Sequence, residues 1–143
     1  MMLTTTATPR TQATVNTPND LRLALKGPAA FAQYLSGFAD NVPVGETNNP
    51  EGCPIRSYLT ALGVEEARVS PIALSGFVGA APRRTRVVVY PEGRRAWIDR
   101  FLELADAPGL AIRTPDGEAT RLPITAGQAR AHLAQISAEV VRA

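Results

Sequence analysis

Apolar and polar positions alternate most cleanly between Arg84 and Ala107. From Arg84 to Tyr90 a period of two sets Arg84, Arg86, Val88 and Tyr90 on one face and Thr85, Val87 and Val89 on the other, which predicts a strand with one apolar and one half-basic face. Pro91 then suits a first helical position, where its missing N–H is no loss. Trp97, Ile98, Phe101, Leu102 and Ala105 recur at helical spacing, so a helix is predicted as far as Ala107, where Pro108 and Gly109 stop it.

The same periodicity predicts four further helices. Thr17 as N-cap and Pro18 at the first position open a short one through Leu21, Ala24 and Leu25. Pro28 opens a second, with Phe31, Tyr34, Leu35 and Phe38 as its apolar stripe. Cys53-Pro54 opens a third, with Ile55, Tyr58, Leu59 and Leu62 inward and Gly63 as its stop. Thr125-Ala126-Gly127-Gln128 reads as a capping box for the last, whose inward positions are Ala129, Leu133, Ile136 and Val140.

Strand signals are weaker. Val69 to Leu74, broken by Pro71, predicts an edge or bulged strand, with Gly76 to Pro82 as a flexible link behind it. Leu110–Arg113 and Glu118–Leu122 flank Thr114-Pro115-Asp116-Gly117, the signature of a hairpin turn. Asp40 to Gly52 is dense in turn formers and is expected to be the longest loop. Residues 1–17 carry no apolar period and are expected to form a flexible arm before a single α+β domain at 18–143, a small, mainly antiparallel sheet of about four strands packed by amphipathic helices.

Composition narrows the chemistry. At 143 residues the chain is the size of one domain. Its formal charge is +2, but 14 of its 15 basic residues are Arg, as a GC-rich coding genome would produce, so arginine number alone argues for nothing. One cysteine, Cys53, excludes an internal disulfide, and with one histidine, His132, it leaves no soft-ligand set for zinc. No signal-like or membrane-spanning apolar run occurs, so a cytoplasmic location without membrane attachment is expected.

Arg94 and Arg95 stand where the predicted helix begins, a position at which the helix dipole disfavours cations. With Arg83, Arg84, Arg86 and Tyr90 they form the candidate site, an anion-binding strand-turn-helix for a partner with an acidic surface. The plainer alternative is a solvated face. Nucleic acid ranks second as partner, since no nucleic-acid motif or lysine cluster accompanies the arginines.

Cys53 at a helix start has the position of an activated thiol, but nothing in sequence brings His132 to it, and a small buried residue anchoring the helix start is the simpler reading. Asp99, Glu103 and Asp106 have the spacing of an ordinary solvated helix face. No phosphate loop, dinucleotide fingerprint, zinc-protease motif or nucleophile elbow is present, and no cofactor or metal is implied.

The segment NPEGCPIRSYL, a short strand, and the later RAWIDRFLELAD, together covering about residues 49–110, resemble small proteins of GC-rich actinobacteria and their phages. Arg56 stands where that pattern has a small residue after Cys-Pro-Ile. The resemblance implies a bacterial or mobile-element origin and carries over no activity and no site residue. The function expected is that of an intracellular, non-enzymatic interaction protein. A nucleic-acid-binding accessory protein and a Cys53-dependent thiol enzyme are the alternatives.

Overall fold

The computed structural model describes residues 14–47, 49, 51–70, 73–90, 95–105 and 122–142. Among them are five helices and five strands, an α+β fold. The expected hairpin apart from Leu122, Pro91, Arg94 and the arm as far as residue 13 lie outside the described residues.

Four of the five helices stand where caps and apolar periods predict them; the fourth in chain order, expected to open at Pro91 with Arg95 in its first turn, begins only at Ala96, so Arg95 precedes it. In α1 (Pro18–Ala24) the Thr17 hydroxyl accepts from the Asp20 N–H at 3.0 Å. α2 (Ala29–Leu35) buries Phe31, Tyr34 and Leu35. α3 (Pro54–Ala61) begins at Cys53, whose Sγ accepts from the Arg56 N–H at 3.4 Å, and ends before Gly63, which takes a φ of +99°. α4 (Ala96–Ala105) buries all five residues of its predicted stripe. Before α5 (Ala126–Arg142) the capping box closes in both directions: the Thr125 N–H donates to Gln128 Oε1 at 2.9 Å and the Gln128 N–H to Thr125 Oγ1 at 3.2 Å. Ala129, Leu133 and Ile136 are buried; the side chain of Val140 lies outside the described set.

The strands depart from expectation in three places. The Asp40 to Gly52 stretch contains β1 (Pro43–Glu46), which pairs antiparallel with β5 (Pro123–Thr125) in a two-stranded sheet. The buried Thr47 extends that ladder, its N–H donating to Leu122 O at 2.8 Å and its hydroxyl accepting from the Leu122 N–H at 2.9 Å. Gly45 is required here, because a Cβ would stand 2.5 Å from the Pro54 nitrogen at the start of α3. Second, Val69 to Leu74 is not one strand: β2 (Glu65–Val69) and β3 (Leu74–Val78) are antiparallel neighbours, and the Ser70 N–H donates to Ala73 O across the turn. Third, the expected link at Gly76 is the middle of β3, which pairs on its other side with β4 (Thr85–Val89). The order is β2-β3-β4, so the sheet of about four strands is resolved into sheets of two and three.

One apolar cluster joins these elements. The inner sheet face contributes Ala67, Val69, Leu74 and Val78, all at most 2% exposed. Val15, assigned by sequence to the arm, belongs to it: the residue is 2% exposed and its N–H donates to Leu62 O at 2.9 Å. At the centre lies Phe31, with ring centroids 5.3 Å from Phe101, 5.4 Å from Tyr58 and 5.9 Å from Trp97. Replacing Phe31 with Ala removes a ring that touches α2, α3 and α4 at once, so a loss of about 3–5 kcal/mol is expected in urea unfolding. A loss below about 1 kcal/mol would mean the helices hold together without it.

Candidate binding surface

Pairing along β3 and β4 fixes which side chains leave the core. Thr85, Val87 and Val89 share the inner side, and Val87 and Val89 pack against the core. Arg86, Val88 and Tyr90 share the outer side with Ser75 and Phe77 of β3. Arg86 is exposed, Val88 is 38% exposed and Tyr90 56%, so the half-basic face predicted from alternation faces solvent.

Arg84 has partners within the chain. Its Nε donates to Glu65 Oε1 and its Nη2 to Glu66 Oε2, both at 2.9 Å, and its guanidinium lies 3.9 Å above the Phe77 ring. Successive strand residues normally point to opposite faces, so two neighbouring carboxylates on one guanidinium need a local distortion. The β2–β3 register shifts between Glu65 and Arg68, and Glu66 takes a φ of +54°, which turns its carboxylate to the same side as that of Glu65. The hydrogen bonds to Glu65 and Glu66 raise the Arg84 pKa above its already high ordinary value. Arg84 is therefore a structural cation, and it is the member of the candidate set least free to meet a partner.

The remaining described members sit on different elements: Arg83 precedes β4, Arg86 lies within it and Arg95 immediately precedes α4. β4 itself, five residues at about 3.4 Å each, is some 17 Å long.

Among the nine arginines whose side chains are described, six hold a partner in the chain. Arg22 reaches Asn19, Arg56 the Ala67 carbonyl and Arg68 Glu51. Arg84 reaches Glu65 and Glu66, and Arg100 grips Glu139 with two donors at 3.0 and 2.7 Å. Arg130 donates to the Leu35 and Phe38 carbonyls at the end of α2 and to Asp40. Arg83, Arg86 and Arg95 make no such side-chain bond among the described residues and all three are exposed; Arg83 precedes β4, Arg86 lies within it and Arg95 precedes α4. Nothing in the sequence separates these three from the other six, because the partners of Arg84, Arg100 and Arg130 lie about 20 to 90 residues away.

Two grooves adjoin the helices. One, of about 560 Å³, runs between Arg56, Thr60 and Gly63 of the α3 end and Glu65, Glu66 and Arg84, but its carboxylates are already paired with Arg84. The other, of about 650 Å³, lies between α1, α2 and α3 with Leu23, 60% exposed, at its rim and Tyr58 in its wall. Burial pushes the Tyr58 hydroxyl up to about 12, and it donates to Ala24 O at 2.9 Å, so this phenol stays protonated.

Cys53 is buried at the start of α3, whereas His132 lies on α5 with its ring 5.8 Å from Phe101, edge to face. Among the described residues no group of three His, Cys, Asp or Glu side chains is arranged to hold a metal ion, and no helix is long and apolar enough to cross a membrane. Comparison with protein-family models, with curated proteins and with solved structures finds no match for this chain.

Burial lowers the His132 pKa below its ordinary value of 6.5, because the protonated ring loses hydration against Phe101. The unfolded chain then binds the proton more tightly than the folded one. The stability contribution is complete above pH 6.5 and declines as pH falls toward and through the lower folded value. Unfolding free energy measured from pH 7.5 down to pH 5, roughly one unit either side of the ordinary imidazole range, should fall for the wild type and fall less for His132→Phe. Parallel curves for the two proteins would remove His132 as the cause.

Proposed function

We propose that the protein is a non-enzymatic interaction module of the cell interior that engages an acidic partner along β4. The observation that carries this reading is the outer side of β4: Arg86 within the strand and Arg83 just before it are exposed and without a side-chain partner among the described residues, and the third such arginine, Arg95, precedes α4. Val88 and Tyr90 between these cations supply apolar and aromatic contact, the mixture that protein interfaces favour over bare charge. A strand of five residues, about 17 Å long, suits an extended acidic segment better than a compact anion.

The test uses a fluorescent oligo-aspartate peptide and a short duplex DNA as defined probes. Wild-type protein should bind the peptide, and Arg83→Glu, Arg86→Glu and Arg95→Glu combined should weaken that binding at least tenfold while leaving Tm within a few degrees, because all three side chains are exposed. Preference for the duplex would replace this reading with nucleic-acid binding; three neutralised phosphates predict a slope of log affinity on log salt near −2.7, from about −0.9 per phosphate. Equal binding of either probe by the triple variant and the wild type would remove the arginines from any binding role.

A further inference from the structure

The two edges of the three-stranded sheet differ in how they meet an incoming strand. On β2 the register shift and the positive φ of Glu66 interrupt the row of backbone donors and acceptors, and α3 packs against the strand. β4 has none of these devices. Its five residues pair with β3 in unbroken register, Val87, Val88 and Val89 follow one another, and no glycine, proline or lysine occurs within it. Among the described residues nothing pairs with its outer side. A regular, partly apolar edge of this kind is a template for strand addition.

The side chains on that edge select the occupant. Arg86 calls for an aromatic face or an acid opposite it, Val88 for an aliphatic residue, and Tyr90 for a cation. Read in the antiparallel sense, that requirement is met by the strand itself. We propose that a second copy of this chain adds its own β4 antiparallel to the first, about a two-fold axis through Val88, joining two three-stranded sheets into one of six. In this register Val88 faces Val88 of the other copy, Arg86 faces Tyr90 in both directions, and the half-buried Val87 and Val89 face each other on the inner side.

No like charges are opposed in this arrangement. A centre at Val87 would instead set Arg86 against Val88 and direct Tyr90 to Arg84, which already holds Glu65, Glu66 and Phe77. The Arg84–Phe77 stack is a precedent for arginine on an aromatic ring on this same face, with the in-plane donors still engaged by carboxylates. Arg86 stacked on Tyr90 of the other copy therefore keeps donors for an acidic ligand, and the dimer presents two basic borders on one continuous sheet. The inference goes beyond the acidic-partner reading and does not depend on it, since the sheet would join with no ligand present.

Sedimentation equilibrium over a hundredfold concentration range reaching the millimolar is expected to show a reversible dimer of the full chain. Val88→Arg, which opposes like charges on the axis, should raise the dimer Kd at least tenfold with unchanged circular dichroism. Tyr90→Glu should tighten the dimer severalfold, because a carboxylate would then meet Arg86 twice; indifferent apolar association would not respond in that direction. Val88→Cys should cross-link to itself under mild oxidation, since directly opposed residues lie about 4.5–5.5 Å apart between Cα atoms. Thr85→Cys should not, its two copies standing about 20 Å apart along the strands. This pair of cysteine variants reports the register even if Val88→Arg fails to fold. A wild type that stays monomeric throughout, a Val88→Arg protein that dimerises as well as the wild type, or equal cross-linking at positions 85 and 88 would overturn the proposal.

Discussion

The ring of Phe31 and the polar tips of the aromatics around it connect the short helices of this protein to one another. α1 and α2 have seven residues each, too few to be stable alone, and each ends with carbonyl groups that no further turn can satisfy. The core supplies the missing donors. Trp97 Nε1 donates to Leu25 O and Tyr58 Oη to Ala24 O, both at 2.9 Å, at the end of α1. Arg130 does the same for Leu35 and Phe38 at the end of α2. Trp97 and Tyr58 are also rings that touch Phe31, so the contacts that bury apolar surface also satisfy the backbone.

This coupling sets what the sheet is left to do. The helices reach one another through Phe31, and α5 is tied to α4 by Arg100 and Glu139 and to α2 by Arg130. The three-stranded sheet needs to give only its inner face to the core, which it does through Ala67, Val69, Leu74 and Val78. Its outer face carries no comparable structural demand, and the residues there are of two kinds. Near β2 they are fixed by the Glu65–Arg84–Glu66 arrangement over Phe77; along β4 they are not. Among the described residues the β2 edge is interrupted at Glu66, whose turn brings two carboxylates to one arginine, while β4 keeps unbroken register.

The helices were readable from sequence because their determinants are local: a cap within three residues, a stripe within seven, a glycine or proline at the stop. All five are present, although α4 begins at Ala96 and not at Pro91, so that Arg95 precedes it. The strands were read less well, for reasons that differ from strand to strand. β1 has four residues among turn formers and exists by virtue of β5, some 80 residues downstream. β3 starts within the expected edge-strand region and runs on through Gly76, the start of the expected link, yet that glycine is demanded by packing: a Cβ there would stand 2.5 Å from Val64 Cγ1. Between β2 and β3, Val69 and Leu74 look continuous in hydrophobicity although Ser70 and Ala73 bond to each other across a turn. The outer face of β4 was visible from alternation alone, but which of its arginines were already engaged depended on register with β2 and stayed hidden.

Register also answers the objection that arginine abundance here reflects composition. A chain with 14 arginines and one lysine would be expected to place some of them idly. Six of the nine described arginine side chains nevertheless hold a carbonyl, an amide or a carboxylate, and they do so on α1, α3, β2, α4 and α5 as well as beside β4. Folding has therefore found uses for arginine almost everywhere in the structure, at some cost in side-chain entropy at each place. Two of the three that it leaves without a partner among the described residues, Arg83 and Arg86, belong to β4 and its start, and β4 is also the strand with an exposed Val88 and Tyr90 and with nothing paired to its outer side among the described residues. Charge, apolar exposure and open backbone are separate properties with no folding reason to coincide, and their coincidence on β4 is the ground for proposing it as an interaction surface.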